Sequence, residues 1–234
     1  MLKSMLTRVR TEALNALYPV HCLGCGAEGN ALCQACRATL PRLALPYCNV
    51  CAQPGVDGTC DWCRSHAPAV DGITAPFLYV GASPIHRAIT RLKFAGWRAV
   101  APEMGGLLAA FLDTRSVSVD MVVPVPGHPR RLRSRGFNQA ALIADELGKR
   151  ANLPVANDLL VRTKNAPSQL SMGSTQSRWL NVKGNFACTE SVDGLRLLVV
   201  DDLVTTGATM SACASALKEA GASQVKGIAV ARAP

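Results

Sequence analysis

Leu197-Leu198-Val199-Val200-Asp201-Asp202-Leu203-Val204-Thr205-Thr206-Gly207-Ala208-Thr209 joins four apolar residues, two acids and a small hydroxyl-rich turn. The apolar run has the length and branching of a strand buried on both faces of a parallel sheet, which puts the turn at that strand's C-terminal end. From Met210 the apolar residues Met210, Cys213, Ala214 and Leu217 recur at helical spacing until Gly221, so Thr205 to Thr209 are predicted at a helix N-terminus. Backbone N–H groups in such a place favour a phosphate. Thr205, Thr206 and Thr209 add hydroxyl donors, Gly207 permits close backbone approach beside Ala208, and Asp201 and Asp202 offer acceptors to two vicinal ribose hydroxyls. The pattern points to a ribose 5-phosphate ligand, and the acid pair would also attract Mg²⁺.

The same stretch resembles the phosphoribosyl pyrophosphate signature of the type I phosphoribosyltransferases, position by position. That resemblance implies phosphoribosyl pyrophosphate as ligand, with Mg²⁺. Neither a Walker-type Gly-Lys-Ser/Thr loop nor a triple-glycine dinucleotide fingerprint competes with it in this sequence.

Working outward, residues 70–234 read as an α/β domain. Ile73 to Val80 is predicted as its first strand, followed by helices over Pro84 to Phe94 and about Ala101 to Leu112. Met121 to Pro126 is a short buried strand leading into Gly127-His128-Pro129-Arg130-Arg131-Leu132-Arg133-Ser134-Arg135-Gly136-Phe137-Asn138-Gln139. Its four arginines in six residues make a clamp for a polyanion, since guanidinium forks hold the oxygens of a leaving pyrophosphate. Taken alone, the cluster also reads as an exposed basic loop. His128 suits a phosphate contact or a turn cap equally. A helix after Asn138 then leads through Pro154 to a strand over Leu159 to Arg162, in a βαβ rhythm that predicts a parallel sheet. Residues 162–186 carry Arg162, Lys164, Arg178 and Lys183 and no acid, as a closing lid or an ordinary long surface loop would.

Residues 21–67 read differently. Eight of the ten cysteines form four C-x-x-C pairs, Cys22/Cys25, Cys33/Cys36, Cys48/Cys51 and Cys60/Cys63, and the first four recur as the second four after 26 or 27 residues. Two knuckles of this kind complete a tetrahedral thiolate site, so two structural Zn²⁺ ions are expected in a double zinc ribbon. One ion per consecutive foursome is the assignment, with an interleaved cross-brace as the other pairing. With no secretion signal, a reducing cytosol keeps such thiols free for metal. His21 and His66 flank cysteine quartets that need no further ligand, and Cys188 and Cys213 read as small buried hydrophobes.

Over residues 1–20, Leu2, Leu6, Val9, Ala13 and Leu17 lie at helical spacing among Lys3, Arg8 and Arg10, as in an amphipathic helix packed on its own protein. No stretch approaches the ~20 apolar residues that a membrane span needs. The chain has 234 residues and a net charge of +9, of which +7 falls on residues 71–234. Such a charge suits phosphorylated ligands and attracts nucleic acid.

The paired ribbons, Leu92-Lys93-Phe94, the Arg133 to Gln139 run, Arg162-Thr163-Lys164 with Gln169 and Arg178, and Asp201 to Thr209 together resemble the ComF/GntX family over nearly the whole chain. The resemblance implies a type I phosphoribosyltransferase-like parallel sheet with flanking helices, preceded by a small double zinc ribbon. It also implies a cytoplasmic protein of natural transformation or of the use of external DNA. By the same similarity Asp201 and Asp202 hold the ribose hydroxyls, Thr205, Thr206, Gly207, Ala208 and Thr209 hold the 5-phosphate, and Arg133 and Arg135 approach the pyrophosphate. Three roles fit: a phosphoribosyltransferase, a module that senses phosphoribosyl pyrophosphate or grips single-stranded DNA, and an adaptor docking DNA-uptake or recombination proteins. Nothing in the sequence marks a nucleobase pocket or a dedicated general base.

Overall fold

A computed structural model describes residues 19–115, 117–163 and 184–234. The helix expected over residues 1–20 and the polar segment expected as a lid lie outside the described residues, apart from their edges.

Strand β6 (Arg196–Val204) is the middle of the architecture, and it forms because Leu197 to Val200 are buried on both faces. It lies parallel between β3 (Met121–Pro124) and β7 (Gln224–Arg232), with Val199 opposite Val123 on one side and Gly227 on the other. The far edge is made by β1 (Ile73–Thr74) and β2 (Phe77–Leu78), which both pair parallel with β7. The single strand expected over residues 73–80 is therefore broken, at Pro76, which has no N–H to give a ladder. Its carbonyl instead accepts from Leu43 N at 3.0 Å, and Arg42 bridges antiparallel to Phe77.

Side chains of β6 alternate between two cores, as a period of two requires. Leu198 and Val200 join the helices α3 (Pro84–Phe94), α4 (Ala101–Asp113) and α6 (Gln139–Ala151), whereas Leu197 and Val199 face α7 (Ala208–Glu219). Close packing of α4 on α6 depends on Gly105, where an added Cβ would stand 2.4 Å from the Glu146 Cβ and 2.9 Å from a backbone nitrogen. Between β3 and α6 the four arginines form a short helix, α5 (Pro129–Arg135), rather than a loop. His128 caps it by accepting from Arg130 N at 3.2 Å, one of the two roles open to it. The crossover after α6 returns to the sheet as an isolated parallel bridge, Val155 to Val122.

Strand β4 (Leu160–Arg162) does not continue the parallel sheet. It pairs antiparallel with β5 (Phe186–Cys188), and the two lie on the α7 side of the molecule. Cys213 is fully buried as expected, but Cys188 is half-exposed and donates to Glu190 O at 3.2 Å. Among the described residues no helix is long and apolar enough to cross a membrane.

Each ribbon ends in a short helix, α1 (Gln34–Ala38) after Cys33 and α2 (Asp61–His66) after Cys60, and each of these cysteines caps its helix. The first ribbon is not a separate bead. Its Leu32 has no exposed surface and joins Ile85, Ile89, Leu92 and Met104 in the main core.

The start of β6 is tied to β3 by one ion pair. Asp120 accepts from Arg196 N, Nε and Nη2 at 2.9, 3.1 and 2.7 Å and donates from its own N–H to Arg196 O at 2.8 Å. These bonds from Arg196 hold the Asp120 carboxyl at about 2, below its ordinary 3.8. A depressed acid contributes stability that is present above its unfolded value and lost as pH falls through the folded one. Asp120→Asn should therefore melt below the parent at pH 7, with the gap closing between about pH 4 and pH 2. A gap that persists unchanged across that range would show the pair to be unimportant to the register.

Candidate functional site

The C-terminal end of β6 collects the charged residues. Asp202 continues the Leu198/Val200 face and is 2% exposed, with Oδ1 at 3.0 Å from Lys93 Nζ in the last turn of α3. Its Oδ2 is buried with no hydrogen-bond partner among the described residues. Asp201 continues the opposite face, near Cys213, and its Oδ1 accepts from Asp202 N at 2.8 Å. Burial, and then the charge of Asp202, push the Asp201 carboxyl upward, while Lys93 acts in the other direction. The two acids are neighbours in sequence, yet they stand in different surroundings, one paired directly with an ammonium and one near Cys213 and Arg162.

Two partly buried arginines, Arg135 and Arg162, face this acidic strand end, and the exposed Arg131 lies near both. Arg135 is half-buried, and burial lowers its pKa against the opposing attraction of Asp202. It donates to Gln139, which holds it from one turn along. Arg131, one helical turn before Arg135, repels both Arg135 and Arg162 and so lies within reach of both. Arg162 leaves β4 with its guanidinium 4.6 Å over the Phe186 ring; burial lowers its pKa, and Cys213 and Asp201 favour its charge. Its Nε is buried without a hydrogen-bond partner among the described residues. Arg130, Arg131 and Arg133 are all exposed on α5. Of the two arginines singled out from the sequence, Arg135 lies at the acidic strand end, where Arg162 joins it, and Arg133 is exposed on α5.

The turn beyond β6 has the form the sequence predicted. Thr206 Oγ1 accepts from Ala208 N at 3.3 Å, and Gly207 caps α7 at φ +78°, in the left-handed region. A side chain at Gly207 would also stand 2.8 Å from Ile73 Cδ1, so the position demands glycine twice over. Thr205, Thr206 and Thr209 are half-exposed around it. A twelve-residue helix leaves its first N–H groups without helical partners, and they provide the partial positive charge that an anion seeks. The arrangement suits a molecule with a terminal phosphate, a diol and a second, more highly charged anionic group. Lys93 and Arg162 received no individual role in the sequence reading. Lys93 ends a helix that begins with the Ser83 cap, and only its place in the Leu92-Lys93-Phe94 run marked it.

The eight ribbon cysteines form two clusters, Cys22/Cys25/Cys33/Cys36 and Cys48/Cys51/Cys60/Cys63, with all sulfurs of a cluster within 4.8 Å of one another. The consecutive pairing holds, and the interleaved one does not. Tetrahedral zinc with Zn–S of ~2.3 Å sets its sulfurs ~3.8 Å apart. Cys25 and Cys33 are 3.6 Å apart and Cys51 and Cys60 are 3.8 Å apart. Burial opposes ionisation of Cys22 and Cys48. Donation from the N–H groups of Cys33, Cys25 and Gly24 to the first, and of Cys60, Cys51 and Val50 to the second, outweighs it and holds both thiols at about 6. These donor sets fit a zinc ion each, closed by four sulfurs. The histidines stand apart: His21 Nδ1 is 2.8 Å from Pro19 O, and His66 stacks on Trp62 with ring centroids 3.6 Å apart.

Comparison with known proteins gives the class first. The phosphoribosyl transferase domain family matches residues 101–234, and the double zinc ribbon domain matches residues 13–69, so the fold is that of a type I phosphoribosyltransferase behind two zinc ribbons. Competence protein F of Haemophilus influenzae is 27% identical over 225 residues, covering 92% of this chain and 96% of that protein. The DNA utilization protein YhgH of Escherichia coli K12 is 29% identical over 216 residues, covering 83% and 94%. Competence protein ComFC of Bacillus subtilis is 28% identical over 199 residues, covering 81% and 79%. The chain belongs to the phosphoribosyl transferase domain family and, within it, to the ComF proteins.

Metal analysis should find two zinc ions per chain, and Cys25→Ser should reduce the count to one. A count unchanged by that substitution would break the assignment of four sulfurs to each ion.

Proposed function

We propose that this protein binds phosphoribosyl pyrophosphate with Mg²⁺ at the end of β6 and acts in the cytoplasm in the use of imported DNA. The observation that carries the reading is the opposition of two partly buried arginines, Arg135 and Arg162, with the exposed Arg131 nearby, to the Asp201–Asp202 strand end beside a glycine-capped helix. In this reading the 5-phosphate lies on the Thr205 to Thr209 turn, where N–H and hydroxyl donors converge. The ribose hydroxyls donate to Asp201 and Asp202. Arg135 and Arg162, with Arg131 beside them, hold the pyrophosphate, and partial burial of the first two strengthens their charge-assisted bonds. The unpartnered Asp202 Oδ2 and the adjacent Asp201 are hard oxygen donors of the kind Mg²⁺ takes. When bound, the ion balances pyrophosphate charge. Relatives named for competence and for DNA utilization support the biological setting, and they align along most of their length.

A second reading rests on Arg130 and Arg133. Both are exposed on α5, as Arg131 is, and they extend the positive surface beyond what one phosphosugar needs. A single strand of DNA, with its backbone on α5, would use all four arginines.

Calorimetric titration of the zinc-loaded protein with phosphoribosyl pyrophosphate and Mg²⁺ tests the first reading. Binding is expected in the parent and lost in the Asp201→Asn, Asp202→Asn double variant. An intact protein that takes no ligand would overturn it and leave the DNA reading. The two arginines of the sequence reading should also separate. Arg135→Ala is expected to weaken the ligand by roughly ten-fold or more and Arg133→Ala by less than about three-fold, since an exposed charge is screened. Equal losses would mean that α5 meets the ligand with its outer face.

A further inference from the structure

The ribbons touch the candidate site unequally. The second zinc knuckle, Cys48 to Cys51, lies behind the turn that follows β6: a Cβ placed on Gly207 would stand 3.7 Å from the Cys51 Cβ. Val50 O accepts from Ile73 N at 2.8 Å, which fixes the knuckle to the same Ile73 that closes the space beside Gly207. Arg232, on β7, donates from Nε to Cys51 O at 3.2 Å. In the ladder it stands opposite Val204, the last residue before the turn, and Ala233 N donates to Val204 O at 2.8 Å. Arg232 is 5% exposed and is the one arginine or lysine among the described residues that is buried. The first ribbon makes its contacts elsewhere, on α3, where Arg87 donates to Leu23 O at 2.8 Å and Gly24 packs on Pro84.

We propose that Arg232 is a positioning residue that ties the Thr205 to Thr209 turn to the second zinc ribbon, so that ligand affinity at the turn depends on the second zinc site. The argument is mechanical and electrostatic. The turn departs from Val204, so whatever fixes the end of β6 against β7 sets where its N–H groups point. Arg232 spans that ladder position and the Cys51 carbonyl with one side chain. A divalent zinc on four thiolates carries two net negative charges, and a buried cluster of that charge stabilises a guanidinium that would otherwise be costly to bury. Gly207 lies beside Ile73, which the knuckle holds through Val50 O, and within van der Waals range of Cys51 for an added Cβ. A displaced knuckle therefore reaches the turn directly.

This inference rests on the phosphosugar reading for its ligand, but its structural claim has an independent readout. The experiment uses the full-length zinc-loaded chain with Arg232→Met, which keeps the stem and removes charge and donor, and Arg232→Lys, which restores the charge. Phosphoribosyl pyrophosphate with Mg²⁺ is expected to bind Arg232→Met roughly ten-fold more weakly, and Arg232→Lys is expected to recover most of the loss. Amide hydrogen exchange over residues 203–210 should be faster in Arg232→Met than in the parent, and zinc should pass to a chromophoric chelator sooner. If Arg232→Met fails to fold, Cys63→Ser in the second ribbon supplies the comparison, with exchange expected to rise over 203–210. Parental exchange over 203–210 in either folded variant overturns the proposal. Failure of the parent to bind phosphoribosyl pyrophosphate would instead sink the phosphosugar reading, and the exchange data would still decide the role of Arg232.

Discussion

Asp202 carries its carboxylate into the interior and meets one ammonium there, Lys93 at 3.0 Å. Dehydrating both groups costs several kcal/mol per ion, and breaking such a pair by deleting one partner costs about 3–5 kcal/mol. A pair of that kind is a poor way to gain stability, because apolar residues of the same volume serve as well or better. Its effect here is positional. It joins the last turn of α3 to the end of β6. The neighbouring Asp201 has its own pKa raised, first by burial and then by that charge. The arginines then complete a balance that no single element could provide: Arg135 comes from α5 and Arg162 from the β4–β5 pair on the other side of the sheet.

The fold supplies this convergence through one strand. Because β6 is central, its two faces open onto two different cores, and consecutive residues at its end are directed to different partners. Up to Val200 this alternation buries leucine and valine; beyond it the same alternation separates Asp202, with Lys93, from Asp201, with Cys213 and Arg162 nearby. The acid pair therefore offers two unlike carboxylates. A ligand that uses both must reach around the end of the strand, and a furanose with hydroxyls on adjacent carbons is of that size.

Much of this was legible in the sequence, where the information is local. The apolar run before Asp201, the helix over Pro84 to Phe94, the helix after Asn138, and the repeated cysteine spacing each report on geometry within a few residues, and each appears in the structure as read. What was hidden depends on contacts far apart in the chain. The spacing of Arg130, Arg131, Arg133 and Arg135 tells that α5 is basic but not which side turns inward. That side is set by Gln139, which holds Arg135. Leu159 to Arg162 has the composition of a strand, yet three residues carry no signal of direction, and its partner proved to be the antiparallel β5. The break at Pro76 was readable and was missed. Arg232 lies near the end of the chain beside a cysteine knuckle 181 positions earlier, and no pattern in the sequence joins them.

The segment between the two family matches, residues 70–100, explains why the ribbons belong to the site at all. It contributes β1, β2 and α3, and so the edge of the sheet and Lys93. The first ribbon seats α3: Leu32 enters the core beside Ile85 and Ile89, and Arg37 pairs with Glu103 at the start of α4. The second ribbon seats β1 and the turn after β6, through Val50, Cys51 and Arg232. A zinc ion closed by four sulfurs has no open position for chemistry. Its influence is confined to shape and charge, and here each ribbon bears on a different part of one site, the first on the helix that supplies the cation and the second on the loop that supplies the N–H donors. A domain that folded without the ribbons would lack the surface against which α3 packs and the knuckle that holds Ile73 beside position 207.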